Sequence, residues 1–201
     1  MQKENTLEIE WKKFLKGDRN SFEKIYNSNF KSLFLYALRF SKDDDLIKDV
    51  IQNVFINFWE KRNYIKEVKN VTVYLHRSVR NELLNRKRQE DKYAFDVLDE
   101  QVYAFDFELP LEARIIKKEE LKETRQRLKH ALKNITDRQK EILYLKYVKG
   151  MTFEEISDTI GITVKASYKL HARAISSIRQ NFGNNHYSIA FLISLYFSGQ
   201  K

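Results

Sequence analysis

The chain has 201 residues, 42% hydrophobic and 32% charged, a composition that fits one or two small soluble domains and argues against a disordered chain or a membrane bundle. Its 37 Lys plus Arg against 28 Asp plus Glu leave a net charge of +9, suited to an anionic partner, and charge alone does not choose between nucleic acid and lipid headgroups. With no Cys, disulfides, thiolate metal sites and thiol nucleophiles are excluded and a reducing cytoplasm is the expected location; with one Pro and five Gly, sheet-type turns are scarce and the expected fold class is all-α.

Met1 to Glu10 carries acids and no apolar run, so no signal peptide is expected there. Trp11, Phe14 and Leu15 line up on a first helix, which Gly17-Asp18 punctuates. A second helix, Ser21 to Phe40, repeats the pattern with Phe22, Ile25, Tyr26, Leu33, Phe34 and Ala37. The strongest periodicity follows: Leu46, Ile47, Val50, Ile51, Val54, Phe55, Phe58 and Trp59 form one stripe of a helix capped near Asp43-Asp44-Asp45. Its other face carries Lys48, Asp49, Gln52, Asn53, Asn57 and Glu60, with Ile56 among them, and periodicity leaves open whether that face is solvated or docks a partner. After a polar loop from Arg62 to Asn70, a helix from Val71 to Arg88 has Leu75, Val79 and Leu83 as its core stripe. Arg77, Arg80, Asn81, Asn85, Lys87 and Arg88 fall off that stripe, with Tyr64 and Tyr74 nearby. Strand binding needs these three ingredients: cations for phosphates, amides for base edges and rings for stacking.

Charge divides the chain. Residues 1–90 hold 19 basic and 13 acidic side chains, residues 91–112 hold 1 and 7, and residues 113–201 hold 17 and 8. With the only Pro, Pro110, in the acidic stretch, this reads as a domain over 1–90, a linker over 91–112, a domain over 113–183 and a tail over 184–201; the competing reading is an acidic surface loop within one domain.

In the second basic block, Thr136-Asp137-Arg138-Gln139 caps a helix carrying Ile142, Leu143, Leu145, Tyr147 and Val148, ended by Gly150. A short helix, Phe153 to Ile160, meets a longer basic one, Val164 to Asn181, across Gly161-Ile162-Thr163. Two helices so joined describe a helix-turn-helix, whose second helix enters the DNA major groove; a plain helical hairpin is the alternative on geometry alone. By exposure, Thr163 caps the second helix, Lys165, Tyr168 and Lys169 face bases or phosphates, and Arg173 grips the backbone.

The order and spacing of Gly17-Asp18, Phe22-Glu23-Lys24-Ile25-Tyr26, Leu38-Arg39, Asp45 through Trp59, Tyr74-Leu75 and Val79-Arg80-Asn81 resemble the first conserved domain of extracytoplasmic-function sigma factors. The string from Arg138 through Thr152-Phe153-Glu154-Glu155-Ile156 to Ile178-Arg179 resembles the last conserved domain of the same family. The resemblance implies that Asp49, Gln52, Asn53 and Ile56 dock on the clamp helices of core RNA polymerase, although Asn53 departs from the acid usual after the Gln. It also implies that loop 62–71 and the following helix capture the melted minus-ten element. Tyr64, Lys66, Arg77, Arg80, Asn81, Asn85, Lys87 and Arg88 become its contacts, and Thr163, Lys165, Tyr168, Lys169 and Arg173 those of the minus-thirty-five element. Ser167 and His171 depart from the Val and Leu usual in the family, and burying a hydroxyl and an imidazole there requires hydrogen-bond partners.

The function expected is therefore that of a promoter-specificity subunit with core polymerase, promoter DNA and an anti-sigma protein as partners, and with no small-molecule substrate, cofactor, metal or enzymatic activity. A stand-alone helix-turn-helix regulator is the runner-up, and a helical adaptor binding acidic proteins or lipids is a third reading. His76, His130, His171 and His186 show no metal spacing. The apolar tail from Tyr187 to Phe197 is too short for a spanning helix, which takes about 20 residues. It is left between covering its own domain, occluding a binding surface, docking a partner and touching a membrane.

Overall fold

Acidic caps, glycine turns and i, i+3, i+4 apolar spacing together fix where the helices begin, end and face. The computed structural model describes residues 2–65, 68–90, 104–106, 126 and 128–182, and the chain divides into two units, Met1–Ala104 and Phe105–Lys201. Among the described residues every regular element is a helix.

The first unit holds α1 (Gln2–Leu15), α2 (Arg19–Ala37), α3 (Asp44–Lys61), a single 3-10 turn (Arg62–Tyr64) and α4 (Val71–Glu90). Gly17, with φ of +91°, reverses the chain after α1, and the Asp18 carboxylate then accepts from the Asn20 amide to start α2. Asp43 caps α3 by accepting from the amides of Asp45 and Leu46, while Asp44 and Asp45 set negative charge at the positive end of the helix dipole. α2, α3 and α4 pack pairwise, and α1 lies against α2 and α4. The stripe read from the sequence is the buried one: Ile47, Val50, Ile51, Val54, Phe55 and Phe58 on α3, and Leu75, Val79 and Leu83 on α4. Leu46 and Trp59, at its margins, are half-buried. Trp11 bridges the layers, its ring 5.0 Å from Phe14, 5.8 Å from Phe58 and 5.8 Å from Tyr74.

The second unit comprises helical residues 128–133, α5 (Asp137–Tyr147), α6 (Phe153–Ile160) and α7 (Val164–Phe182). Both α5 and α6 begin with complete capping boxes, Thr136 with Gln139 and Thr152 with Glu155. α5 is buried all round from Glu141 to Leu145, and α5, α6 and α7 pack pairwise. Gly161 ends α6 in the left-handed region, φ +79°, and that turn aims α7 across α5. Phe105, which the sequence reading assigns to the acidic linker, is buried against Tyr144 with ring centroids 5.7 Å apart. The rest of the 91–112 stretch and the tail 187–197 lie outside the described residues.

Candidate functional site

Three outward surfaces carry the candidate residues, two on the first unit and one on the second. On α3, burial of the apolar stripe turns Asp49, Gln52 and Ile56 outward and leaves Asn53 half-buried. Ile56 is 45% exposed, an apolar side chain set among polar neighbours, as a docking face requires at its centre.

On α4, Arg77, Asn81, Asn85 and Arg88 are exposed at spacings of four, four and three residues, a single continuous stripe opposite Leu75, Val79 and Leu83. The Arg88 guanidinium lies 3.5 Å from Asn85 Oδ1, so the far end of the stripe is already linked. Tyr64, in the 3-10 turn, is 85% exposed. The turn is fastened beneath it: Arg62 donates to the Trp59 carbonyl at 2.6 Å and its guanidinium lies 4.7 Å from the Trp59 ring centroid.

Two expected DNA contacts lie off the exposed stripe. Arg80 is only 5% exposed, because it stands four residues from both His76 and Leu84, which are themselves buried, and so shares their side of α4. Lys87 reaches across to donate to the Phe40 carbonyl and ties the end of α4 to the chain just after α2. Arg80 is thus buried and Lys87 half-buried, whereas Arg77, Asn81, Asn85 and Arg88 are exposed. Lys66 lies outside the described residues.

On α7, Thr163 accepts from the Ala166 amide at 3.2 Å, and Lys165, Tyr168, Lys169 and Arg173 are all exposed. The two departures from the family pattern are both accommodated. Ser167, fully buried, donates within reach of the Val164 carbonyl at 2.7 Å and the Phe153 carbonyl at 3.3 Å. His171 shares a 3.0 Å hydrogen bond between its Nε2 and the Tyr147 hydroxyl, with the Phe153 ring 5.2 Å away and edge-on. Burial, and then the nearby Lys146 charge, lower the His171 pKa below 6.5, while burial raises that of Tyr147. Both shifts favour the uncharged form of the pair. The inner face of α7 is completed by Ala174 and Ile178, fully buried, with Leu170 and Ile175 half-buried. Sequence reasoning missed Phe153 and Tyr147 as supports of this helix, since their rings meet it only through the tertiary fold.

Family models match both units: "Sigma-70 region 2" over residues 25–93 and "Sigma-70, region 4" over residues 125–178, together more than half of the chain. The chain belongs to the sigma-70 family, as a sigma factor of the extracytoplasmic-function group. It is 22% identical over 168 residues to RNA polymerase sigma factor YlaC of Bacillus subtilis (strain 168), covering 81% of this chain and 92% of that protein. The same fold appears in CnrH, solved in complex with the cytosolic domain of CnrY (TM-score 0.55, 18% identity, 86% of this chain and 94% of that one). It appears again in the sigma factor RpoE of Bartonella quintana, solved with the anti-sigma factor NepR (TM-score 0.54, 16% identity, 82% of this chain and 98% of that one). The sigma factor's partners are core RNA polymerase and promoter DNA, and region 2 ahead of the helix-turn-helix disfavours a stand-alone regulator. Among the described residues, no helix is long and apolar enough to cross a membrane, and no group of acidic or His side chains is gathered as a metal site.

Proposed function

We propose that the sigma factor divides promoter recognition between its units, with α3 docking on polymerase, Tyr64 and α4 holding the melted minus-ten strand, and α7 reading minus-thirty-five. The observation that carries this assignment is the exposed Arg77, Asn81, Asn85, Arg88 stripe of α4, which offers phosphate-binding cations and base-reading amides on one helix face, with the exposed Tyr64 ring available for stacking in the turn that precedes that helix in the chain. Asp49, Gln52, Asn53 and Ile56 supply the polymerase contact. Thr163, Lys165, Tyr168 and Lys169 meet bases or phosphates, and Arg173 binds the backbone. A single bidentate base contact is worth about 1–3 kcal/mol of discrimination.

Region 2 therefore opens the duplex and region 4 anchors it, while polymerase performs the chemistry and this subunit hydrolyses nothing. The site of action is the cytoplasm, where polymerase and promoter meet. The solved complexes of CnrH with CnrY and of RpoE with NepR support an anti-sigma protein as the partner that holds this factor inactive. A reconstituted transcription assay with core polymerase and a panel of promoters from the host genome tests the reading. Promoter-dependent initiation is expected, together with weak duplex binding by the sigma factor alone. No initiation at any promoter, with core binding also absent, would overturn it.

A further inference from the structure

The contacts around α7 converge on one residue of the preceding helix. Phe153 is the first residue of α6, directly after the Thr152 capping box, so its backbone is fixed by reciprocal hydrogen bonds. Its ring lies 3.9 Å from the Tyr168 ring, centroid to centroid, at an interplanar angle of 35°. The Lys146 ammonium sits 4.8 Å from the centre of the same Phe153 ring and also donates to the Met151 carbonyl at 3.2 Å. His171 meets the ring edge-on at 5.2 Å, and the Phe153 carbonyl is within reach of the Ser167 hydroxyl at 3.3 Å. Three residues of α7, including both that depart from the family pattern, thus register on Phe153.

Tyr168 is half exposed, and an exposed tyrosine on a helix ordinarily moves among rotamers. Close tilted contact with a ring that is itself anchored by a cap, a cation and an imidazole removes that freedom before DNA arrives. A tyrosine has only two side-chain torsions, so one close ring contact is enough to aim its hydroxyl.

We propose that Phe153 is a positioning residue for promoter specificity: its ring holds Tyr168 in the orientation that discriminates among bases, without touching DNA itself. This rests on the reading of α7 as the minus-thirty-five helix. Discrimination acts through the preset ring, so loss of the platform flattens base preference at the position Tyr168 reads while leaving the phosphate grip of Arg173 intact.

The test is a double-mutant cycle in the polymerase holoenzyme, scored on promoters randomised through the upstream element. Variants are Phe153→Leu, Phe153→Tyr, Tyr168→Ala and the Phe153→Leu/Tyr168→Ala pair, each with its melting temperature measured. Tyr168→Ala is expected to lower discrimination at one or two adjacent base pairs about tenfold. Phe153→Leu should reproduce most of that loss at the same base pairs, Phe153→Tyr should restore it, and the double variant should be no worse than Tyr168→Ala alone. A uniform loss across all sequences for Phe153→Leu, or a loss that adds to that of Tyr168→Ala, would overturn the positioning role and leave Phe153 a plain packing residue. An unchanged preference profile in Tyr168→Ala would instead refute base readout by Tyr168, and absence of any promoter-dependent signal in the unaltered protein would refute the sigma reading beneath both.

Discussion

Arg77 and Arg80 are three residues apart on α4 and have opposite surroundings, one exposed and the other buried. Arg80→Ala removes a large charged side chain from a packed position, at a cost of about 2 kcal/mol. Thermal unfolding should show that loss, whereas Arg77→Ala should leave the melting temperature unchanged and reduce open-complex formation. His171 makes a pH prediction. Its pKa is lowered in the folded state by burial and by Lys146, so above 6.5 neither folded nor unfolded chain carries the proton. As pH falls below 6.5 the unfolded chain binds a proton that the folded one resists, and stability falls until the lowered folded pKa is passed. Melting curves at pH 7.5 and 5.5 check this: the second unit of the unaltered protein should lose more stability on acidification than His171→Leu, which carries no titrating group there.

At the scale of elements, helix ends and faces decide what each helix can offer. α6 has only eight residues, too few to be stable without its cap and its packing on α7. Thr152→Ala breaks the capping box and should destabilise the second unit by about 1 kcal/mol in chemical denaturation. α3 offers the converse case. Its buried stripe is complete without Ile56, so Ile56→Glu should leave the melting temperature within error of the unaltered protein while weakening association with core polymerase. A loss of stability in that variant would place Ile56 in the core instead.

Over the whole molecule, the net charge of +9 resolves into two basic segments separated by an acidic one. Two weakly binding units joined by a connector reinforce each other through effective concentration, which falls roughly as the three-halves power of connector length. Inserting a second copy of residues 91–104, which precede the second unit, should therefore cut the stimulation that the upstream element gives to initiation about threefold, measured as the ratio of rates with and without that element. Arg173→Ala, which removes one backbone cation from α7, should lower the salt dependence of promoter binding by about one unit of slope.

Periodicity determined most of the architecture. The helix type, the capped starts of α3 and α5, the buried stripe of α3 and the helix-turn-helix all follow from 3.6-residue spacing and cap chemistry, which act between near neighbours in the chain. The outward faces of α3 and α7 were legible for the same reason, since a face is whatever the apolar stripe leaves over. The burial of Arg80 and the cross-helix bond of Lys87 were not legible, because a cation beside an apolar stripe is exposed or enclosed according to what another helix places against it. For Lys87 that neighbour is the Phe40 carbonyl, 47 residues away. Likewise Ser167 and His171 look like defects in the sequence of α7 and become contacts only once Tyr147 and Phe153 are folded beneath them. Local spacing is encoded by the chain itself, whereas the satisfaction of a buried polar group depends on partners distant in sequence, and only the tertiary structure brings those together.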